Sequence, residues 1–374
     1  MSYILKHFDI KIIKFNLITN NIDGLSVEII KIYDKNKLPI DLQFNDYDLI
    51  KWLKRRVIPK NRAFVQSFLA KLGLNVNDIK GIIDICKGLS LNDCYWIVDE
   101  NFTGTFAKYN LYENSFSRIL SVIAYTGYGN TTRRSFVSTP ELTTNGMLAK
   151  CWRRINGKII LYKAGSTGAA NTGNEPYSEF YAVQIAEAIG LDVVKYGLNR
   201  WKGQLCSTCE LFTSKQFSYI PIGRIVTNGG WKAIIKYYQE LGKNYHDALL
   251  DMLIFDVVIC NEDRHFGNFG LLVDNYKNQI VDTAPIFDNG LSLFNYAMSD
   301  DLQNIDSYAN TRLMANSQDF MTFAKAVITK KQKDKLRKLI DFKFKKHSQY
   351  NLPAERLKII ERFIQYRIKE LLKL

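Results

Sequence analysis

The sequence predicts an α+β chain in three segments, on three observations. Two β-type runs around an Asn/Asp/Gly turn open the chain, a strand-strand-helix-strand-strand order fills its middle, and helical periodicity dominates most of the rest. The expected segments are an N-terminal extension over 1–125, a smaller β-rich segment over 126–213 and a mainly helical segment over 214–374.

The opening runs are FDIKIIKFNL and LSVEIIKIY, separated by TNNIDG, which reads as a hairpin. Helical spacing follows in DYDLIKWLKRR, which stops before Pro59, in NRAFVQSFLAKLG, in DIKGIIDICKG and in ENSFSRILSVIAY. Residues 126–146, TGYGNTTRRSFVSTPELTTNG, are polar and rich in Gly and Thr, as a loop between segments would be. Next, MLAKCWRRINGKIILYKAG places Asn156-Gly157 between two apolar runs, the strongest short-range hairpin signal. EPYSEFYAVQIAEAIGL is a helix with Pro176 in its first turn and Gly190 at its end, and DVVKYGLNRWKGQLCSTCELF supplies another strand pair. Beyond Ser214 come the helices GGWKAIIKYYQELGK and YHDALLDMLIFDVVIC, two short strands (FGLLV, QIVDT), and a final helix in which Leu357, Ile360, Ile364, Ile368 and Leu371 share one face.

Composition sets outer limits. A chain of 374 residues with 47% hydrophobic and 24% charged residues can bury a substantial core, and 13% aromatic content argues against disorder. No apolar run is long enough to cross a bilayer, and the start MSYILKHFDIKIIKF lacks a signal-peptide pattern, so the expected location is the cytoplasm, without membrane insertion. Lys plus Arg number 51 against 37 Asp plus Glu, a net charge of +14 that favours anionic partners. That charge is spread along the chain, so it selects no partner alone. The cysteines, Cys86, Cys94, Cys151, Cys206, Cys209 and Cys260, are expected to be reduced thiols. Cys206 and Cys209 form one CxxC, but no second pair completes a zinc site.

The chemistry concentrates in NEDRHFGNFGLLV, residues 261–273, and in APIFDNG shortly after. Phosphoryl transfer from a nucleotide rests on positioning and charge neutralisation, and protein kinases do it with four recurring parts. These are a loop over the phosphates, a strand lysine paired with a helix carboxylate, an Asp near the acceptor hydroxyl with an Asn five residues on, and a second, metal-binding Asp. The chain offers each in order. TTNG, with Thr144, Asn145 and Gly146, precedes the strand pair and could cover phosphates with backbone N–H groups. Lys163 lies in the strand IILYK beside the loop GSTG, and Glu179 in the next helix could pair with it. Glu175 is the competing carboxylate; preceding Pro176, it is expected to cap the helix instead. Asp263 and Asn268 fit the base and metal-ligand positions, and Asp288 fits the second metal ligand. Each feature alone has a bland reading: a strand lysine is usually a solvated residue, and a lone His265 usually holds a loop. The specificity lies in the conjunction.

With these residues in hand, the chain resembles the HipA-like serine/threonine kinases, an atypical branch of the protein-kinase fold, and more distantly the phosphatidylinositol kinases. The resemblance is carried by YK at 162–163, EPYSEFYAVQIAEAIGL, CELF, NEDRHFGN and APIFDNGLSL, with GLSLNDCYWI (88–97) further upstream. It implies a bilobal protein-kinase-like fold, with an antiparallel-sheet small lobe over 126–213 and a helical large lobe over 214–374. It also implies ATP and Mg2+ as cofactors, Lys163 and Asp288 on phosphate and metal, Asp263 as catalytic base and Asn268 as metal ligand. Glu210 and Phe212 of CELF would form the hinge whose backbone meets adenine, and His265 follows the Asp, as in the lipid kinases. The implied partners are a protein substrate and a small DNA-binding antitoxin, with nucleic acid engaged only through the latter. Self-phosphorylation on the phosphate loop is implied too, with Thr143 and Thr144 as candidates. Two departures stand out: TTNGMLAK lacks the glycine spacing of typical kinases, and DFG is replaced by Asp288-Asn289-Gly290. The competing readings are a phosphoinositide kinase, which shares DRHxxN, and a catalytically silent scaffold that binds nucleic acid or a repressor.

Overall fold

The computed structural model describes residues 2–20, 24–43, 45–130 and 136–374. The turn expected at TNNIDG and part of the expected 126–146 loop, residues 131–135, therefore lie outside the described residues. The strands are β1 (Ser2–His7), β2 (Ile10–Asn20), β3 (Gly24–Ile32), β4 (Tyr95–Asp99), β5 (Lys150–Ile155), β6 (Lys158–Ala164), β7 (Tyr196–Trp201), β8 (Gln204–Glu210), β9 (Phe217–Pro221), β10 (Gly270–Asp274) and β11 (Gln279–Thr283). Antiparallel strands and helices combine in an α+β fold. The chain divides into two compact units.

The first unit comprises Met1–Tyr162, Thr213–Ile220 and Leu272–Val281. Its antiparallel sheet has the order β3-β2-β1-β4, with β1 paired to both β2 and β4. The hairpin read from the sequence is the β2–β3 pair, but β1 and β4 were not legible in it. Both are inner or heavily buried, with burial running through consecutive residues rather than alternating. A strand covered on both faces loses the period-two signal on which sequence reading depends. The same holds for β9, Phe-Ser-Tyr-Ile-Pro, buried from Ser218 onward. One face of the sheet packs on Leu49, Trp52 and Leu53 of the helix Asp46–Lys54. A separate apolar cluster joins the helices Val65–Ala70, Ile79–Cys86 and Arg118–Thr126. Between β5 and β6, Asn156 and Gly157 take φ of 50° and 78°. Two successive positive φ values make the tight hairpin turn that Asn-Gly favours.

The second unit comprises Lys163–Phe212, Pro221–Leu271 and Asp282–Leu374. It holds the β7–β8 hairpin, the helix Glu175–Ala188 and most of the helices beyond residue 221. Its centre is the helix Lys243–Ile259, every residue of which is buried from Leu249 to Ile259. The final helix, Ala354–Lys373, packs against it and buries the expected face, Leu357, Ile360, Ile364, Ile368 and Leu371. Each such side chain contributes roughly 1.5–3 kcal/mol relative to exposure.

All six cysteines are buried, and none is in a disulfide. Burial pushes the Cys209 thiol up to about 12, so it is not poised as a thiolate. No helix among the described residues is long and apolar enough to cross a membrane.

Candidate active site

The helix Lys243–Ile259 delivers the chain to NEDRHFGN through Cys260, whose left-handed φ of 48° turns the backbone out of the helix. That conformation costs a non-glycine residue roughly 1–2 kcal/mol, so the loop beyond must hold it in place. Asn261 does part of this, with its amide nitrogen donating to Asp256 Oδ1 at 2.9 Å and its Oδ1 accepting the Asp263 N–H at 3.1 Å. The side-chain amide of Asn268 donates to the Asp263 carbonyl at 3.1 Å, closing the loop across the DxxxxN spacing. With its nitrogen so engaged, Asn268 has its oxygen as the atom left for a cation.

Arg264 ties this loop to the next acidic segment. Its guanidinium binds Asp256 through Nε and Nη2 at 2.9 and 3.0 Å, donates to the Asn268 carbonyl at 3.0 Å and reaches Asn289 Oδ1 at 2.6 Å. It also donates to the Phe287 carbonyl. A fully buried charge needs this many partners, because each unmet donor would carry its desolvation penalty. The consequence is geometric: the Asp263–Asn268 loop and the Phe287-Asp288-Asn289 turn share one rigid anchor.

On the other side stands Lys163, buried near the end of β6. Its ammonium donates to Glu179 Oε1 at 2.9 Å and to Asp288. Glu179 is fully buried in the helix Glu175–Ala188, and its Oε2 accepts the Asn289 N–H at 2.8 Å. Burial alone would lower the Lys163 pKa, but the Asp288 and Glu179 carboxylates outweigh it and raise it, keeping the side chain charged. One ammonium cannot neutralise two carboxylates, and burial holds Glu179 above the usual range despite Lys163. Asp263 is likewise held above the carboxylate range by burial, with Asp288 adding to the effect and His265 and Lys163 opposing it. Asp288 itself adopts a positive φ of 57°, and its N–H donates to the Tyr196 hydroxyl at 3.3 Å.

The structure thus brings Lys163, Glu179, Asp263, Asn268 and Asp288 into one unit. Glu210, Phe212 and His265 belong to the same unit. Glu210 ends β8 and is exposed, while Phe212 is half-buried with its ring 5.4 Å from that of Phe287. His265 is exposed, and its Nδ1 accepts the Gly267 N–H at 3.0 Å. Thr144, Asn145 and Gly146 belong to the first unit, in a turn held from behind. Arg62, paired with the fully buried Glu141, donates to the Thr144 carbonyl, and Lys150 donates to that of Asn145 at 3.0 Å. Gly146 takes φ of 96°, and a Cβ there would fall 2.1 Å from the Lys150 ammonium. The Thr143 hydroxyl is buried and donates to the Leu89 carbonyl at 2.8 Å; that of Thr144 donates to Pro140 at 2.7 Å.

Glu175 departs from expectation. It does not cap its helix; its carboxylate accepts the Ser166 N–H at 3.1 Å, the Ser166 hydroxyl and the Tyr296 hydroxyl at 2.9 Å. The loop beginning at Gly165 folds back over the helix start, so the carboxylate meets that loop before it can bend to its own N–H groups. A Cβ on Gly165 would lie 2.7 Å from Gly173 and 2.9 Å from this carboxylate.

No family model matches the chain. Over 160 residues the chain is 29% identical to the serine/threonine-protein kinase CtkA of Helicobacter pylori, a stretch covering 36% of this chain and 46% of that protein. The chain therefore spans less than half the length of this curated relative. HipA of Shewanella oneidensis MR-1, solved with HipB and operator DNA, superposes with a TM-score of 0.56 across 100% of this chain and 99% of that one, at 10% identity. This chain has the HipA fold. The crystal structure of the Helicobacter pylori proinflammatory kinase CtkA gives a TM-score of 0.49 at 18% identity, over 60% of this chain and 93% of that one. The HipA-like resemblance is thereby borne out, in fold by HipA and in sequence by CtkA.

Four side chains that organise the site were given no role in the sequence reading: Asp256, Asn261, Arg264 and Asn289. Asp256 carried a usable signal, since a carboxylate inside the apolar run MLIFDVVI requires a buried partner. Asn289 carried none, because its role as an acceptor for Arg264 depends on a contact 25 residues away.

Proposed function

We propose that this protein is an ATP- and Mg2+-dependent serine/threonine kinase that transfers the γ-phosphate to a protein hydroxyl. The observation that carries the reading is the buried Lys163 ammonium held between Glu179 and Asp288, in the same unit as the Asp263–Asn268 loop and locked to it through Arg264. In this reading residues 126–213 act as the small lobe, 214–374 as the large lobe and 1–125 as an extension.

The donor set suits Mg2+, which takes one or two protein oxygens and fills its remaining positions with water and substrate phosphates. The Asp288 carboxylate and the Asn268 amide oxygen would hold it. Bound there, the ion would neutralise charge on the nucleotide phosphates. Lys163 would bind phosphate oxygens, oriented by Glu179. Asp263 would accept the proton of the substrate hydroxyl, and its raised pKa brings it closer to the operating pH that base catalysis favours. Backbone groups at Glu210 and Phe212 would meet adenine and His265 would contact the phosphates, while Thr144, Asn145 and Gly146 are proposed as the phosphate loop on the resemblance alone. Self-phosphorylation at Thr143 or Thr144 would require their turn to open, since both hydroxyls are engaged. A small DNA-binding antitoxin is the partner we propose, by analogy with the HipA complex.

The test is incorporation of γ-labelled phosphate from Mg-ATP by the wild-type chain, Asp263→Ala and Asp288→Ala. Labelling of the chain or of an added lysate, lost in both variants, supports the reading. Absence of both labelling and magnesium-dependent ATP binding in the wild type overturns it.

A further inference from the structure

Residues 341–353 form no helix or strand, yet they are fixed on both sides. On one side is the helix Glu175–Ala188. The Gln184 side chain pairs with the backbone of Lys345 in both directions, donating to its carbonyl at 3.1 Å and accepting its N–H at 2.7 Å. The Tyr181 hydroxyl donates to Asn351 Oδ1 at 3.0 Å, and the Tyr181 ring lies 4.9 Å from that of Phe344. The other side is the final helix, where Glu361 accepts the Phe344 N–H at 2.8 Å and Gln365 donates to the Phe342 carbonyl at 3.3 Å. Asn351 also closes the segment on itself, accepting the His347 N–H at 2.8 Å and donating to the His347 carbonyl at 2.7 Å.

The face of the helix that is gripped matters. At about 100° per residue, Tyr181 lies roughly 200° and Gln184 roughly 140° around the axis from Glu179. The strap therefore holds the helix from the side away from Glu179, while Glu179 reaches Lys163 on the other. A helix held on both faces cannot rotate or withdraw without breaking one set of contacts.

We infer that residues 341–353 are a positioning strap for the Glu179 helix, and that Gln184, Tyr181 and Asn351 set the Lys163–Glu179 pair through it. The consequence for phosphoryl transfer rests on the kinase reading; the mechanical part does not. None of these side chains touches the reacting groups, so they are positioning residues, and loosening them should impair orientation more than folding.

The experiment compares the full-length chain with Gln184→Ala, Asn351→Ala and the double variant, by amide hydrogen exchange over 175–188 and by Mg-ATP turnover. Each single variant is expected to speed exchange around Glu179 and to slow turnover roughly tenfold with a smaller effect on the thermal midpoint, a misplacement cost within the range seen for positioning residues. The double variant should lose more than either single, because Gln184 and Asn351 hold the strap through separate hydrogen bonds. Unchanged exchange over 175–188 in both single variants would overturn the inference. If the wild-type chain shows neither turnover nor magnesium-dependent ATP binding, the kinase reading fails, and exchange alone still decides whether the strap holds the helix.

Discussion

Arg264 and Asp256 form a bidentate ion pair at 2.9 and 3.0 Å in which neither side chain is more than 1% exposed. Removing one partner of such a pair strands the other charge in the interior, at a cost of about 3–5 kcal/mol. Arg264→Ala should therefore lower unfolding stability by an amount of that order in urea titration. Arg264→Lys should recover only part of it, because an ammonium lacks the planar fork that serves Asp256, Asn268, Phe287 and Asn289 together. Full stability in Arg264→Lys would show that the shared anchor is unimportant.

Lys163 poses a sharper case. Lys163→Met would leave Glu179 and Asp288 facing each other without a cation, so stability should fall by about 3 kcal/mol near neutral pH. The loss should shrink as pH falls, because protonating a carboxylate whose pKa is already raised relieves the repulsion. The double variant Lys163→Met with Glu179→Met should be more stable than Lys163→Met alone. Chemical unfolding at two pH values would decide it; equal losses at both would rule out carboxylate repulsion as the cause.

What could be read in the sequence follows from which interactions are local. The DxxxxN spacing, the Asn156-Gly157 turn and the helix behind Pro176 rest on contacts within a few residues, and all stand in the structure. The strands β1, β4 and β9 were invisible because burial on both faces erased their alternation. Glu175 was misjudged for a similar reason: its partners Ser166 and Tyr296 lie 9 and 121 residues away. No local rule could have preferred them to the helix end. The Lys163–Glu179 pairing spans only 16 residues, a strand and the helix that follows it, and was legible.

The raised Asp263 pKa has a kinetic signature. If Asp263 accepts the proton of the hydroxyl, it must be ionised, so turnover should fall as pH drops through its pKa. Burial places that limb above the ordinary aspartate value of 3.8. A rate-against-pH profile with saturating Mg-ATP should show it, and Asp263→Ala should remove the limb and lose on the order of 10²–10⁴ in rate, the usual contribution of a general base. Nucleotide binding in that variant should persist, since Lys163, Asn268 and Asp288 remain. A limb that survives in Asp263→Ala would assign it to another group.

A second pH response arises in the first unit, at His7. The side chain is buried in β1, its ring 4.4 Å from that of Tyr95. Burial lowers its pKa from 6.5 to about 4, against the opposing Asp93 charge and Asn275 side chain. The sign follows from proton counting. Between these two values the unfolded chain binds a proton that the folded chain refuses, so acid favours unfolding. The contribution of neutral His7 is complete above pH 6.5 and is lost progressively as pH falls toward 4. At 1.36 kcal/mol per unit the full loss is about 3 kcal/mol. Unfolding free energies at pH 7.5 and 4.5 should differ by most of that amount beyond the change seen in His7→Phe, which fills the site without titrating. Parallel pH dependence in the two proteins would mean that other groups govern the acid response.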